Sequence, residues 1–104
     1  MQKRITTMKI ANKERLDEFA YRHADALRPL QRWADIVERE EWKSHTDLKA
    51  SFPSADYVGN SRYVFNIKGN SYRLVVVVIF VAGLLVVQFV GTHKDYDKIN
   101  CKNI

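Results

Sequence analysis

The sequence predicts an α+β fold in which N-terminal helices pack on a small antiparallel β-sheet with a long central hairpin. Apolar residues follow the spacing of a helix in the first half of the chain, and from Tyr57 onward an extended, β-branched pattern replaces it. Helices followed by strands are typical of an α+β layer. Residues 1–104 are expected to form a single domain, because a chain of this length can bury a core and contains no repeat or linker.

Two helices are predicted in the first 40 residues. Asn12 can cap the first helix, whose apolar positions recur at i, i+3, i+4 and i+7. These positions are Leu16, Phe19, Ala20 and His23. Pro29 suits the first turn of the second helix. The apolar face of the second helix is formed by Leu30, Trp33, Ala34 and Val37.

The second predicted helix also carries a charged stripe opposite its apolar face. The stripe consists of Arg28, Arg32, Asp35 and Arg39. The i, i+3 and i, i+4 spacings favour a solvated face stabilised by ion pairs. The alternative is a surface that binds phosphate or a protein partner.

A third, short helix is predicted to begin after Ser44. Ser44 and Asp47 resemble a capping box in which Asp replaces the usual Glu or Gln. Leu48 and Phe52 lie at i and i+4, and Pro53 ends the helix.

The second half of the chain is predicted to form strands joined by tight turns. Residues 59–60 and 68–70 are turn signals, and residues 62–67 between them form a strand. A long hairpin follows over residues 72–91, with its turn at residues 82–83.

The apolar stretch at residues 74–90 allows two interpretations, because no charged residue occurs between Arg73 and Lys94. A bilayer span needs roughly 20 predominantly apolar residues, and these 17 residues are interrupted by Gln88. Val and Ile dominate the stretch and favour strands, and Gly83 near its middle suits a hairpin turn. We therefore favour two central strands, covered on both faces, over a small protein that spans a membrane with this segment.

Small secondary-structure elements are expected near both ends of the chain. Residues 4–6 can form an edge strand, and Thr92 can cap a terminal helical turn.

No secretory signal is expected, since no charged segment followed by an apolar one opens the chain. The single Cys101 cannot form an internal disulfide and indicates a reducing compartment, so the cytoplasm is the expected location. The net charge of +5 indicates affinity for phosphate backbones, acidic partners or anionic surfaces.

Hairpin geometry brings several reactive side chains to one edge of the predicted sheet. The hairpin places Arg73 near Thr92, and the residues that follow Thr92 include His93, Lys94 and Tyr96. Such a set can cleave a phosphodiester: a base takes a proton from a 2′-hydroxyl, a cation holds the phosphorane oxygens, and an acid protonates the leaving 5′-oxygen. The same set also fits a plain RNA-binding patch. In a third interpretation, His93 caps the strand end and Tyr96 packs under the sheet.

Several common kinds of active site are excluded by the sequence. It contains no Gly-rich phosphate loop, no G-x-S-x-G motif and no cysteine cluster. His23, His45 and His93 lie far apart without the spacing of metal ligands, so neither a metal nor another cofactor is expected. Cys101, close to a terminus, is a poor candidate for a nucleophile.

Two motifs carry a family resemblance. Residues 65–74 read F-N-I-x-G-N-x-Y-R-L, and residues 91–97 read G-T-H-x-x-Y-D. Together with the segment around Trp42 and Phe52, they make the chain similar to the HigB family of toxins from type II toxin–antitoxin systems, which have a RelE-like fold. The resemblance covers about residues 42–99 well and the helical half loosely.

The resemblance implies an endoribonuclease that cuts mRNA, commonly on the ribosome, and so inhibits translation. It further implies metal-independent chemistry and neutralisation by a HigA-type antitoxin with a helix-turn-helix domain, through which alone the toxin reaches DNA. A non-catalytic RNA- or ribosome-binding module on the same fold is the alternative, and a small single-span membrane protein is the least favoured one.

The resemblance also implies roles for individual residues. Arg73 matches the strand arginine of the family and is expected to steady the phosphate. His93 and Tyr96 match the T-H-x-x-Y part of the motif and are expected to be acid–base or base-stacking residues. Weaker candidates for holding RNA are Lys49, Asn66 and Lys94.

The two long strands depart from the family pattern. Family members often carry basic side chains there, whereas the corresponding places in this chain hold Val77, Val81 and Gln88. The change removes positive charge where RNA would lie and leaves the outer sheet face apolar. Weaker ribosome docking, a cover formed by antitoxin or by a second copy, and loss of activity are the alternatives; cover by antitoxin is favoured.

Overall fold

The computed structural model describes residues 7–104, and the edge strand expected at residues 4–6 lies outside the described residues. The strands within this range are β1 (Lys9–Ala11), β2 (Asp56–Gly59), β3 (Arg62–Ile67), β4 (Tyr72–Ile79) and β5 (Leu84–Thr92). The helices are α1 (Glu14–Arg22), α2 (Leu27–Arg39), α3 (His45–Ser51) and α4 (His93–Tyr96). The predicted α+β class is confirmed.

The strands form one mixed sheet in the order β1-β5-β4-β3-β2. From β2 to β5 the neighbours are antiparallel, as expected. β1 instead pairs in parallel with β5, with Lys9 opposite Leu84. The sheet is therefore not purely antiparallel. The chain between β1 and β5 contains all the other strands and three helices, and a connection of that length permits the crossover that a parallel pair requires.

The helices supply the apolar positions that the sequence predicts. Leu16 and Ala20 of α1 are buried, and Phe19 and His23 are half-buried. The buried positions of α2 are Leu30, Trp33, Ala34 and Val37. The four residues of the charged stripe on α2 are all exposed. The predicted inner face of each helix is thus confirmed.

An aromatic cluster joins the helical layer to the sheet. Phe65 of β3 is 2% exposed and packs edge-on against Trp33 of α2, with 5.4 Å between ring centroids. It also meets Phe52, which follows α3, at 5.1 Å. The Trp33 indole nitrogen makes no hydrogen bond within residues 7–104. The cluster holds two helices and β3 together at the centre of the core.

Two of the three predicted helix caps are confirmed. Ser44 caps α3 and Thr92 caps α4 through their side-chain oxygens. Asn12 does not cap α1. Its φ is 62°, a left-handed conformation that asparagine tolerates well, and its side-chain amide donates to the Val87 carbonyl at 3.3 Å. Asn12 thus turns the chain from β1 into α1 and ties that turn to β5.

The apolar stretch folds into the predicted hairpin of β4 and β5. A 3-10 turn at Phe80–Ala82 and a left-handed Gly83 connect the strands, and a positive φ favours glycine there. The turn begins earlier than expected and a bulge interrupts the pairing at Gln88, so Arg73 lies directly opposite Gly91, next to Thr92 as predicted. No helix within residues 7–104 is long and apolar enough to span a membrane.

The three positions where basic residues were expected have different surroundings. Val77 lies half-buried in β4, and Gln88 lies half-buried at a β-bulge where it has no partner in β4. Val81 is 98% exposed in the hairpin turn. They therefore do not form one continuous apolar surface.

The sheet face opposite the helices, here the outer face, is partly covered by the chain itself. From β3 and β4 it presents Arg62, Val64, Asn66, Arg73, Val75 and Val77. Residues 97–104 run across it, and the Arg62 guanidinium donates to the main-chain oxygen of Ile104 at 2.7 Å. Val64 and Val75 are 5% and 0% exposed. Residues 97–104 thus contact part of the outer face, and the cover by antitoxin stays a prediction.

Candidate active site

Arg73 is held on the outer face by the strands on either side of it. Its neighbour in β4, Leu74, is fully buried on the inner face, so alternation points Arg73 outward. Its cross-strand partners are Asn66 in β3 and Gly91 in β5. A Cβ at Gly91 would lie 2.5 Å from the Phe89 ring. The absence of a side chain at Gly91 therefore lets the Phe89 ring lie over that position, beside Arg73.

His93 begins α4 and meets Arg73 across the end of the hairpin. Arg73 Nη2 lies 2.9 Å from His93 Nε2. Because a guanidinium can only donate, Nε2 must accept this hydrogen bond, and the ring proton of the neutral imidazole then sits on Nδ1. Nδ1 in turn lies 3.5 Å from the Asp97 carboxylate. The imidazole is thus oriented from both sides, and Nε2 can act as a proton acceptor.

Tyr96 lies on the other side of the same guanidinium. The Arg73 guanidinium carbon is 5.7 Å from the Tyr96 ring centroid, which is within the range of a cation–π contact. The phenol donates to the Cys101 thiol at 3.5 Å. Burial and the hydrogen bond to Cys101 raise the pKa of Tyr96 to about 12, against a smaller lowering by Arg73. The phenol therefore keeps its proton at physiological pH.

A second network fixes the turn that leads into β4. Tyr72 donates to one Asp25 carboxylate oxygen at 2.6 Å, and the Lys68 ammonium meets the other at 2.6 Å. His23 and Phe19 pack against the Tyr72 ring. The network ties the segment between α1 and α2 to the residue next to Arg73, so it supports the position of the guanidinium.

The Asp25 network predicts a stability that depends on pH. Hydrogen bonds from Lys68 and then Tyr72 lower the pKa of Asp25. A lowered pKa in the folded state stabilises the fold above the unfolded-state pKa, and that stabilisation is lost as the pH falls through the folded-state pKa. The Asp25→Asn variant should therefore have a lower Tm than the wild type at pH 7 and a smaller deficit near pH 3.

Thermal unfolding at the two pH values checks this prediction. Asp35→Asn is the matched control, because Asp35 is an exposed carboxylate on α2 that makes no ion pair within the described residues. A Tm deficit of Asp25→Asn that is equally large at both pH values would contradict the proposed role of the carboxylate.

The structure brings together some of the predicted site residues and separates others. The Arg73 guanidinium contacts both His93 and Tyr96. Asn66 lies directly across from Arg73. The remaining two candidates are Lys94 and Lys49. Lys94 is exposed within α4, whereas the Lys49 ammonium donates to the carbonyls of Pro53 and Ala55 at 2.7 and 2.6 Å.

Besides Phe89, two residues at the site were not among the predicted ones. Asp97 lies at i+4 from His93, a spacing that places both on one face of a helical turn. That spacing is visible in the sequence and could have identified it. Cys101 lies five residues after Tyr96, and it reaches the phenol through the tight turns that follow α4, which the sequence pattern does not indicate. No group of three metal-ligating side chains occurs within residues 7–104.

Comparisons with known proteins show which proteins this chain is similar to. The family model described as "HigB_toxin, RelE-like toxic component of a toxin-antitoxin system" matches residues 26–99. The chain is 31% identical over 93 residues to the mRNA interferase toxin HigB of Escherichia coli K12, covering 86% of this chain and 88% of that protein. It is 23% identical over 94 residues to the mRNA interferase HigB of Escherichia coli O6:H1, covering 88% and 91%. The matched region contains Arg73, His93 and Tyr96.

Proposed function

This chain belongs to the HigB family, the RelE-like toxic components of toxin–antitoxin systems, and on that premise we propose that it is an endoribonuclease that cleaves mRNA. The observation that carries the proposal is the contact between Arg73 and His93, a phosphate-binding cation 2.9 Å from a proton acceptor. The curated relatives named above are mRNA interferases, and the net charge of +5 suits a polyanionic substrate.

His93 and Arg73 would divide the chemistry between them. An entering phosphate would draw the guanidinium away from Nε2, and the freed Nε2 would accept the proton of the 2′-hydroxyl. The 2′-oxygen then bonds to phosphorus, Arg73 holds the phosphorane oxygens, and the bond to the 5′-oxygen breaks. The leaving 5′-oxygen takes one proton from water, and the His93 imidazolium returns the proton it accepted to the hydroxide so formed. The products are a 2′,3′-cyclic phosphate and a 5′-hydroxyl, and His93 is neutral again. No metal or cofactor takes part in this mechanism.

Tyr96 would position a base rather than transfer a proton. With a pKa of about 12 the phenol is a weak acid and is not ionised to act as a base. Its ring lies 6.5 Å from that of Phe89, next to the guanidinium, so the two rings can form a platform for the nucleotide beside the cleaved bond.

The stacking role predicts different effects for two variants of Tyr96. Tyr96→Phe should cleave within about threefold of the wild-type rate, because the ring remains. Tyr96→Ala should lose roughly 5- to 150-fold, the range expected for removing one stacking contact. Initial rates on one labelled RNA check both variants. If Tyr96→Phe is as slow as Tyr96→Ala, the phenol proton is required and the stacking role is wrong.

The partners and location are part of the same proposal. We expect the single domain formed by residues 1–104 to act in the cytoplasm on mRNA bound to the ribosome. A HigA-type antitoxin would neutralise it and would be its only link to DNA. Lys94, an exposed cation in α4, is available to contact the RNA backbone.

Induced expression in a bacterial host, with and without the neighbouring reading frame, tests the proposed function. Growth arrest with new mRNA 5′ ends in register with codons, relieved by the neighbour, is the expected result. Arrest without new 5′ ends would favour the non-catalytic RNA-binding module, which the cationic and aromatic site also fits. The absence of arrest would overturn the proposal of a toxin.

A further inference from the structure

A groove of about 370 Å³ lies between α2 and the turn that joins β3 to β4. We call it the α2 groove, and its principal lining residues are Arg32, Ile36, Phe52, Asn66 and Lys68. Its volume is at the lower end of the range for small-ligand sites, so one nucleotide is a suitable occupant.

The α2 groove is positively charged. No carboxylate lines it. Lys68 is paired with Asp25 at 2.6 Å, so its charge is largely compensated. Arg32 is exposed and makes no hydrogen bond or ion pair within residues 7–104. Arg32 is therefore the cation available to a ligand in the groove.

The α2 groove also adjoins the candidate active site. Asn66, which lines it, is the cross-strand partner of Arg73. Neighbouring strands lie about 4.8 Å apart. Arg73 lies on the outer face and Arg32 on the helical side, but β2 pairs with β3 only as far as Val64, so the sheet edge at Asn66 is open. An RNA strand with its scissile phosphate on Arg73 would cross this edge to place its next nucleotide in the groove.

The floor of the α2 groove suits a base. Phe52 and Ile36 are half-buried and offer apolar surface to the opening. Unpaired bases stack on aromatic side chains, while arginine holds the backbone phosphate. The groove thus combines a hydrophobic floor, an amide and a free cation.

We propose that the α2 groove is a subsite for the nucleotide next to the cleaved bond, with Arg32 on its phosphate and the base against Phe52. This inference rests on the proposed endoribonuclease function. It also divides the charged stripe of α2 into two parts. Arg32 serves RNA, whereas Arg28 and Arg39 do not line the groove and remain a solvated surface.

The test is the binding of a labelled 2′-O-methyl RNA decamer, which lacks the attacking hydroxyl and cannot be cleaved. Arg32→Ala should weaken binding by roughly 3- to 10-fold and reduce the slope of log affinity against log salt by about 0.7, the value for one phosphate contact on a single strand. Arg32→Lys should keep the salt slope. Arg28→Ala, an exposed arginine one turn earlier on the same helix, is the matched control and should bind as the wild type does.

Several outcomes would overturn the subsite. One is an equal loss of RNA affinity in Arg32→Ala and Arg28→Ala, and another is unchanged RNA affinity in both variants. A third is that Arg32→Ala binds RNA as the wild type does but no longer binds the antitoxin. Failure of the endoribonuclease itself has a different signature. It would appear as a wild-type protein that produces no new mRNA 5′ ends, whatever residue stands at position 32.

Discussion

Replacing His93 with alanine should slow RNA cleavage by roughly 10²- to 10⁴-fold, the usual contribution of a positioned acid–base group. His93 Nε2 accepts a hydrogen bond from Arg73 at 2.9 Å, and Asp97 lies 3.5 Å from the opposite ring nitrogen. Alanine removes the acceptor and leaves the guanidinium free for the phosphate. RNA binding should therefore persist while turnover falls, and expression without antitoxin should no longer arrest growth.

His45→Ala is the matched control for that variant. His45 is an exposed histidine at the start of α3 whose Nδ1 lies 2.6 Å from the Tyr63 hydroxyl. Tyr63 belongs to the inner face of the sheet, whereas Arg73 lies on the outer face. It should cleave at the wild-type rate. Full toxicity of His93→Ala, with unchanged mRNA 5′ ends, would show that His93 does not transfer the proton.

Replacing Phe65 with alanine should lower the free energy of unfolding by about 3–5 kcal/mol. The Phe65 side chain is 2% exposed and joins Trp33 of α2 to Phe52 after α3. Removing it opens a cavity among rings that cannot all move inward, so the loss should fall in the upper range for core truncations. Urea unfolding followed by tryptophan fluorescence measures the change, since Trp33 contacts the replaced ring.

Tyr57→Ala provides the comparison for Phe65→Ala. Tyr57 is an aromatic residue of the same sheet, but its side chain is 54% exposed. Its truncation should cost less than half as much as that of Phe65. Equal losses in the two variants would mean that the aromatic cluster around Phe65 does not form the centre of the core.

Local pattern predicted the helices and the hairpin, and it failed where distant contacts decide. The faces of α1 and α2 follow from apolar spacing alone, and the β-branched run around Gly83 predicts the turn to within a few residues. The strand Lys9–Ala11 has only three residues, and it is held by its parallel pairing with β5. Asparagine is a common helix cap, but Asn12 instead donates a hydrogen bond to the Val87 carbonyl and ties the turn before α1 to β5.

In the candidate site, too, the sequence predicts some residues and not others. The motif residues Arg73, His93 and Tyr96 could be predicted, because the hairpin brings both motifs to one edge of the sheet. Cys101 could not, since its contact with Tyr96 depends on the irregular turns that follow α4. The partners of Lys49 are carbonyl groups of a loop, and a sequence does not show which carbonyls a loop presents.

The pairing of β1 with β5 has a consequence for the order of folding. Asn12 and Val87, whose contact secures the end of this pairing, are 75 residues apart in the chain. The β4–β5 hairpin is local and can close early, whereas joining β1 requires the entropy loss of ordering nearly the whole chain. We therefore expect β1 to be the last strand of the sheet to form. A nascent chain would have to extend beyond β5 before its first strand could take its native place.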